Sequence, residues 1–412
     1  MSDTAVAEIA GPVMMDDPAA RPLVALQPGG HRRAESGHPW VYSNEIVMDA
    51  AAKALPPGTI VTLRRADERL FGVAMFNPHT LIAARLLDRD PNREIGRRFF
   101  ARRLERALRL RERLYEQPCY RLVHAEADGL PGLVIDRFGG VLAVQANTAG
   151  IDRLTPVIIE ALRNLLTPQA VVLRNDSPAR TLEGLPLETG VALGAVDGPV
   201  VIEENGAAFH ADVVAGQKTG WFYDQRDNRA FVAGLAAGAR ILDLYCYSGG
   251  FGVAAACRGA DAVLGIDRSE PALALAAASA KQNGVAERCT FRRGDVFAEA
   301  AALSAAGERF DIVVADPPPF ARTKREVGAG LRGYRKLARL AAQLTAPSGF
   351  LFIASCSHNV GAPEFTEAVR HGLADAGRGG RILKSAGAGP DHPVHPSLPE
   401  TAYLKALTLA LD

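Results

Sequence analysis

The chain has 412 residues, 48% of them hydrophobic and 23% charged, enough to bury more than one core and therefore to form more than one domain. A net charge of +1 supplies no global field toward nucleic acid, so any such binding must use local patches. Five scattered cysteines without a C-x-x-C spacing argue against a disulfide framework or a zinc site and fit a reducing, cytoplasmic setting.

In chain order, residues 1–21 are Ala-rich with scattered acids and lack both the basic start and the apolar centre of a signal peptide. They read as a disordered tail. Residues 22–92 carry short β-like runs (Leu23–Gln27, Thr59–Arg65, Leu70–Phe76, Leu81–Asp88) punctuated by Gly, Pro and Asn/Asp, the pattern of a small β-barrel. Residues 93–199 open with a long helix, Glu94–Glu116, crowded with arginines. Ile95, Phe99, Leu104, Leu108 and Leu110 supply its buried face. Its charged face is either a solvated surface, interleaved with Glu94, Glu105, Glu112 and Glu116, or a source of phosphate contacts. A hairpin turning at Gly139-Gly140, an amphipathic helix Ile151–Leu166 and a strand Ala170–Leu173 complete an α+β middle domain.

Residues 200–412 begin with a hairpin turning at Asn205-Gly206, then alternate strand and helix as a parallel sheet with right-handed crossovers requires. A last strand within Ala402–Ala410 is expected to slot in antiparallel. The longest Ala/Leu runs, such as Pro271–Ala280, are too short to span a bilayer, so no membrane partner is expected. His392 and His395 form an H-x-x-H without a further ligand pair, so no metal is expected either.

The most informative stretch is Ile241–Gly252, a buried apolar strand that ends in an aspartate, Asp243, followed by a small, Gly-rich turn. A second strand, Ala262–Ile266, ends in Asp267, about 20 residues on, where an acidic side chain meets a ribose in a mononucleotide-binding βαβ unit. A third ends near Asp295, and a fourth, Asp311–Ala315, runs into Asp316-Pro-Pro-Pro-Phe320. The turn lacks the G-x-G-x-x-G of a dinucleotide fold, so it has no pyrophosphate to cradle. A nucleoside with an amino-acid tail, S-adenosylmethionine, suits it. Asp267 suits the ribose hydroxyls as a charge-assisted acceptor, and Asp295 the adenine amino group; a helix N-cap would also place Asp at such positions.

The prolines after Asp316 fix a rigid loop whose carboxylate suits the amino edge of a flat base, with Phe320 available to stack on it. Enzymes that methylate exocyclic amines use such a loop too. Cys356, after the strand Phe350–Ala354, separates the cases. A thiolate adding to carbon 6 of cytosine makes carbon 5 nucleophilic, chemistry an amine does not need. The plainer reading of Cys356 is a buried structural thiol.

Taken together, Gly37–Tyr42 (GHPWVY), Glu126–Gly132 (EADGLPG), Lys218–Arg229 (KTGWFYDQRDNR), the glycine turn, Asp316-Pro-Pro, Ser355-Cys-Ser357 and Asp391–Val394 (DHPV) resemble one family. It is the bacterial PUA-domain, class I S-adenosylmethionine-dependent 23S ribosomal RNA methyltransferases that make 5-methylcytosine, and the resemblance runs from Leu23 onward. It implies a PUA-like RNA-binding barrel over 22–92, the middle domain over 93–199, and a Rossmann-like class I methyltransferase sheet over 200–412. It implies S-adenosylmethionine as cofactor and 23S ribosomal RNA as partner; the sequence leaves a homodimer open. Cys356 would be the nucleophile and Asp316 its catalytic companion. Lys218, Thr219, Asp224, Gln225, Arg226, Asp243, Ser248, Gly249, Gly250, Asp267, Asp295 and Val296 would surround the cofactor, and Pro317, Pro318, Phe320, Asp391 and His392 the substrate. Two departures are Pro319, where Lys is more usual, and the long N-terminal tail. The alternatives are a ribosomal RNA guanine N2-methyltransferase and a non-catalytic RNA-binding assembly factor.

Overall fold

The structure is a computed structural model that describes residues 16–412. Most of the tail expected over 1–21 therefore lies outside the described residues. Residues 16–21 form a turn in which buried Arg21 bonds to the Asp16 carboxylate and to the carbonyls of Pro91 and Arg93. Two compact units make up the chain. One comprises the described residues up to Gly198 with Asp212–Trp221 and Pro390–Pro399; the other comprises Pro199–Ala211, Phe222–Gly389 and Glu400–Asp412. Two motif segments expected in the C-terminal domain, 218–221 and 390–399, thus belong to the first unit.

The first unit holds two five-stranded sheets. In one the strands run in the order Leu23–Ala25, Thr59–Arg64, Leu70–Phe76, Ala84–Asp88, Trp40–Val41, antiparallel except for the first pair. Val24, Val41, Val61, Leu63 and Phe76 fill its interior. The other runs Glu188–Gly194, Ala170–Asn175, Val141–Ala146, Leu133–Phe138, Cys119–His124. Helices Arg97–Leu114 and Ala149–Leu166 pack with it. Val73, Met75 and Leu87 of the first sheet share one apolar core with Phe100 and Leu104 of the arginine-rich helix and with Leu122, Ile135 and Val144 of the second sheet.

Arg111 is the polar knot of this unit. Its fully buried guanidinium forks onto Asp128 at 2.6 and 2.9 Å and donates to the carbonyls of Arg121 and Asp391. The Asp391 carboxylate accepts from the Arg121 N–H at 3.0 Å and pairs with His392 Nδ1 at 2.8 Å. A buried arginine is tolerated when its donors are satisfied in this way.

The second unit opens with the hairpin Val200–Glu204 and Ala207–Ala211, which turns through left-handed Asn205 and Gly206 as the sequence predicts. Its sheet has seven strands in the order Cys289–Arg293, Ala262–Asp267, Arg240–Leu244, Phe310–Ala315, Thr345–Ser355, Lys405–Leu411, Gly380–Ala386. The first five are parallel, and Lys405–Leu411 is antiparallel to both its neighbours. Both faces are buried, as parallel sheets require. Leu242, Leu244, Val313 and Ile353 meet Tyr334, Leu337 and Phe365 on one side, while Ile241, Val314 and Phe352 meet Phe251 and Ala255 on the other. Strand order reverses at Arg240–Leu244, which opens a crevice beyond the C-terminal strand ends. No helix among the described residues is long and apolar enough to cross a membrane.

Replacing Asp128 by Ala leaves the Arg111 guanidinium buried without its counter-charge. Asp128→Ala is expected to destabilise the first unit by about 3–5 kcal/mol, read as an earlier urea transition. An unshifted midpoint would show that the pair is dispensable.

Candidate active site

Beyond Leu244 the chain passes through three left-handed positions, Tyr245 (φ 63°), Tyr247 (φ 47°) and Gly249 (φ 80°), before entering the helix Gly250–Cys257. Left-handed backbone at non-glycine residues costs on the order of 1–3 kcal/mol each and persists only where surrounding bonds hold it. Here the Tyr247 N–H donates to Asp267 Oδ2 at 2.9 Å and the Cys246 N–H to the Ile266 carbonyl at 3.1 Å. A Cβ on Gly249 would sit 2.9 Å from Ala276 Cβ, and one on Gly252 would sit 2.7 Å from Val263 Cγ1. These glycines let the helix press onto its neighbours while the turn borders the crevice.

Three carboxylates converge at the strand reversal. Asp243 is 1% exposed and accepts the Gly252 N–H at 2.9 Å. Burial pushes its carboxyl up to about 7, with the Asp316 and Asp267 charges adding to the rise and the Gly252 N–H opposing it. The Asp316 N–H reaches the Leu244 carbonyl at 3.4 Å, tying the proline loop to the central strand. Asp267 also accepts the Ser269 N–H at 2.9 Å, so both its oxygens are oriented at the second strand's end. Asp295 occupies the N-cap of the helix Val296–Ala305, accepting the Ala298 N–H at 3.0 Å, and it pairs with the exposed Arg268. Val296 is buried in the core.

Phe222 meets Tyr247 edge to face at 5.2 Å, which brings the segment that follows it beside the glycine turn. Asp224 accepts the Tyr403 hydroxyl at 2.5 Å, and Gln225 Oε1 accepts from Asn228 at 2.7 Å. Arg226 lies over the Tyr223 ring and 3.6 Å from Glu204, which Arg229 holds bidentately. Two buried polar atoms here have no hydrogen-bond partner in the protein, Ser248 Oγ and Gln225 Nε2. Buried groups left this way cost about 1–3 kcal/mol each. A ligand with its own donors and acceptors, as S-adenosylmethionine has in its ribose and amino-acid tail, fits them.

Cys356 follows the strand Thr345–Ser355, half-buried, with Sγ 3.9 Å from the Pro317 carbonyl. Tyr334, in the helix Val327–Leu344, locks this arrangement. Its buried hydroxyl accepts from Ser355 Oγ and shares a hydrogen bond with Ser357 Oγ, both at 2.8 Å, while Ser357 Oγ accepts the Ala321 N–H at 3.3 Å. The serines flanking the cysteine and the loop after Asp316 are therefore pinned together. Lys405 Nζ donates to the carbonyls of Ser357 and Tyr403 at 2.7 Å. Burial lowers its pKa, and a negative charge on Cys356 raises it. Sequence reasoning named neither Tyr334 nor Lys405, because a Tyr in an amphipathic helix and a Lys opening a strand carry no local signal. Phe320 is packed against Tyr334, with ring centres 4.7 Å apart.

The structure does not bring every expected residue to this crevice's unit. In the first unit, Thr219 donates to Asp136 at 2.5 Å, Lys218 holds a left-handed backbone, and Asp391 and His392 are buried beside Arg111 and His124.

Two outcomes follow from these groups. The raised Asp243 pKa means that between about pH 4 and 7 the folded chain keeps a proton that the unfolded chain has released, so through this group stability falls as pH rises across that window. Asp243→Asn is expected to shrink the drop in melting temperature between pH 5 and pH 8; an unchanged drop would refute the raised value. Ser248→Ala removes a hydroxyl that bonds to nothing in the protein. It is expected to weaken S-adenosylmethionine binding by about 1–2 kcal/mol in calorimetry without lowering the ligand-free melting temperature.

Comparison with known proteins supports S-adenosylmethionine as the cofactor. A family model for S-adenosylmethionine-dependent methyltransferases matches residues 157–408, and one for a PUA-like domain matches residues 24–89. A ribosomal RNA large subunit methyltransferase I of Shewanella amazonensis is 37% identical over 389 residues, covering 93% of this chain and 98% of that protein. A solved S-adenosylmethionine-dependent methyltransferase from Streptococcus mutans superposes with a TM-score of 0.79 at 20% identity, covering 94% of this chain and all of that one. A solved methyltransferase complexed with S-adenosylhomocysteine gives 0.79 at 21% identity, with 94% and 99% covered. At such identities the two structures show the fold, a Rossmann-like methyltransferase sheet behind a PUA-like barrel. The chain belongs to the S-adenosylmethionine-dependent methyltransferase family and carries a PUA-like domain at its N-terminal end.

Proposed function

We propose that this enzyme transfers the methyl group of S-adenosylmethionine to carbon 5 of a cytidine in 23S ribosomal RNA, in the cytoplasm. The observation that carries the reading is the placement of Cys356 beside the Asp316-Pro-Pro loop, with its thiol 3.9 Å from the Pro317 carbonyl. The PUA-like barrel and the names of the relatives, which specify large-subunit ribosomal RNA, support the substrate class.

When bound, S-adenosylmethionine supplies an electrophilic methyl group. Asp267 would hold its ribose, with Ser248, Gln225 and Asp243 around the rest of the molecule. The Asp316 carboxylate and the Pro317 carbonyl would accept from the amino edge of cytosine, orienting the ring against Cys356. The Cys356 thiolate would add to carbon 6, and the displaced π electrons would make carbon 5 the nucleophile that takes the methyl group, with S-adenosylhomocysteine as the by-product. After a base removes the carbon 5 proton, the double bond re-forms, the C6–S bond breaks and Cys356 regains its electron pair. Lys405 favours the thiolate, because a charge on Cys356 and the charge on Lys405 stabilise each other.

Cys356→Ala is expected to keep cofactor and RNA affinity but form no 5-methylcytosine by nucleoside mass spectrometry. Wild type should form a covalent adduct with RNA carrying 5-fluorocytidine, whose fluorine cannot leave as a proton. Appreciable methylation by Cys356→Ala would instead place the reaction on a guanine amine, where Asp316 alone suffices.

A further inference from the structure

The structure sorts the arginines of the helix Arg97–Leu114. Arg97 pairs with Glu160, Arg109 pairs with Glu105, and Arg111 is buried against Asp128. Arg98 and Arg102, one turn apart and exposed, meet no acidic or carbonyl partner among the described residues. They border a surface cavity of about 380 Å³ together with Arg93, Arg103, Arg106 and the acids Asp88 and Glu94. Asp88 is already engaged, by Arg93 at 3.2 Å and Arg103 at 3.6 Å. Positive charge therefore dominates the cavity.

Arg103 sharpens the point. Its guanidinium is committed to the carbonyls of Gly129 and Leu87, and its pKa is pushed down to about 10, by burial first and then by the neighbouring Arg106. Like charges held together at a partly desolvated site are unfavourable for the fold alone, and an anion relieves them. The helix's first turn contains no acid, so its partial positive end adds to the same field. Arg98, Arg102 and Arg106 succeed one another at about 6 Å along the helix axis, a ladder of guanidiniums suited to successive phosphates.

We propose that this groove is a docking site for the phosphodiester backbone of the RNA substrate, in the unit that does not carry the methyl-transfer crevice. The inference rests on the RNA reading above and adds where the chain is gripped. Because the contacts are to phosphate, they set affinity and register without reading sequence.

The test uses the full-length chain with Arg98→Ala/Arg102→Ala and a 23S ribosomal RNA fragment, with Kd measured against salt concentration. Each lost phosphate contact should lower the slope of log Kd on log salt by about 1, and the double variant should bind about tenfold or more weakly near 0.1 M salt. S-adenosylmethionine affinity should be unchanged. Arg109→Ala, which removes an exposed arginine paired with Glu105, should leave the slope alone. The proposal fails if the double variant keeps the wild-type slope while methylating RNA normally, or if Arg109→Ala lowers the slope equally. A wild-type protein that binds S-adenosylmethionine but neither binds nor methylates RNA overturns the RNA reading itself, and this site with it.

Discussion

The chemistry of this protein depends on one strand, Arg240–Leu244, being paired on both sides by strands that run the same way. Its second neighbour, Phe310–Ala315, arrives only after two further crossovers, so the chain reverses its direction of travel across the sheet. That reversal leaves the ends of both strands uncovered by any connection. Asp243 lies in register with Val314 and Gly265, so its carboxylate sits in the middle of the reversal, with Asp267 and Asp316 at the neighbouring ends. The next strand over delivers Cys356. Pairing register, more than any single side chain, assembles the site.

Charge is divided within that assembly. One part is crowded with carboxylates, and burial first, with the neighbouring Asp316 and Asp267 charges adding to it, raises the Asp243 pKa to about 7. The other part holds Cys356 with the half-buried Lys405, coupled in the opposite sense. Tyr334 joins the two through uncharged hydroxyls, bonding the serines beside the cysteine while Ser357 accepts from the chain after the proline loop. A neutral pin of this kind fixes position without altering either field.

What the sequence discloses follows from which interactions are local. The glycine turn, the acids at strand ends and the Asn205-Gly206 hairpin were legible because turn chemistry and strand–helix alternation are short-range. The strands Trp40–Val41 and Glu188–Gly194 were not. The first is two residues long, and the second is largely exposed and contains glycine, so neither alternates apolar with polar. Thr219 and Asp391 were read toward cofactor and substrate from their motifs; their bonds to Asp136, Arg121 and Arg111 link parts of the chain far apart in sequence, which no pattern discloses. Asp295 illustrates the overlap between roles: the position that suits an adenine amino group is also a helix N-cap, and the cap is formed.

The bond from Arg111 to the Asp391 carbonyl spans 280 positions in the chain. During synthesis the ribosome extrudes Arg111 long before Asp391, and in that interval the first unit has Asp128 for its buried guanidinium but lacks its last carbonyl acceptor. The Pro390–Pro399 contribution arrives only after all five parallel strands of the second unit have been threaded out. Contacts so distant in sequence carry a large loop-closure entropy and form late. The unit whose translation begins first therefore stays incomplete until Pro390–Pro399 emerges, and a nascent chain ending anywhere before Asp391 is chemically unfinished at its N-terminal core.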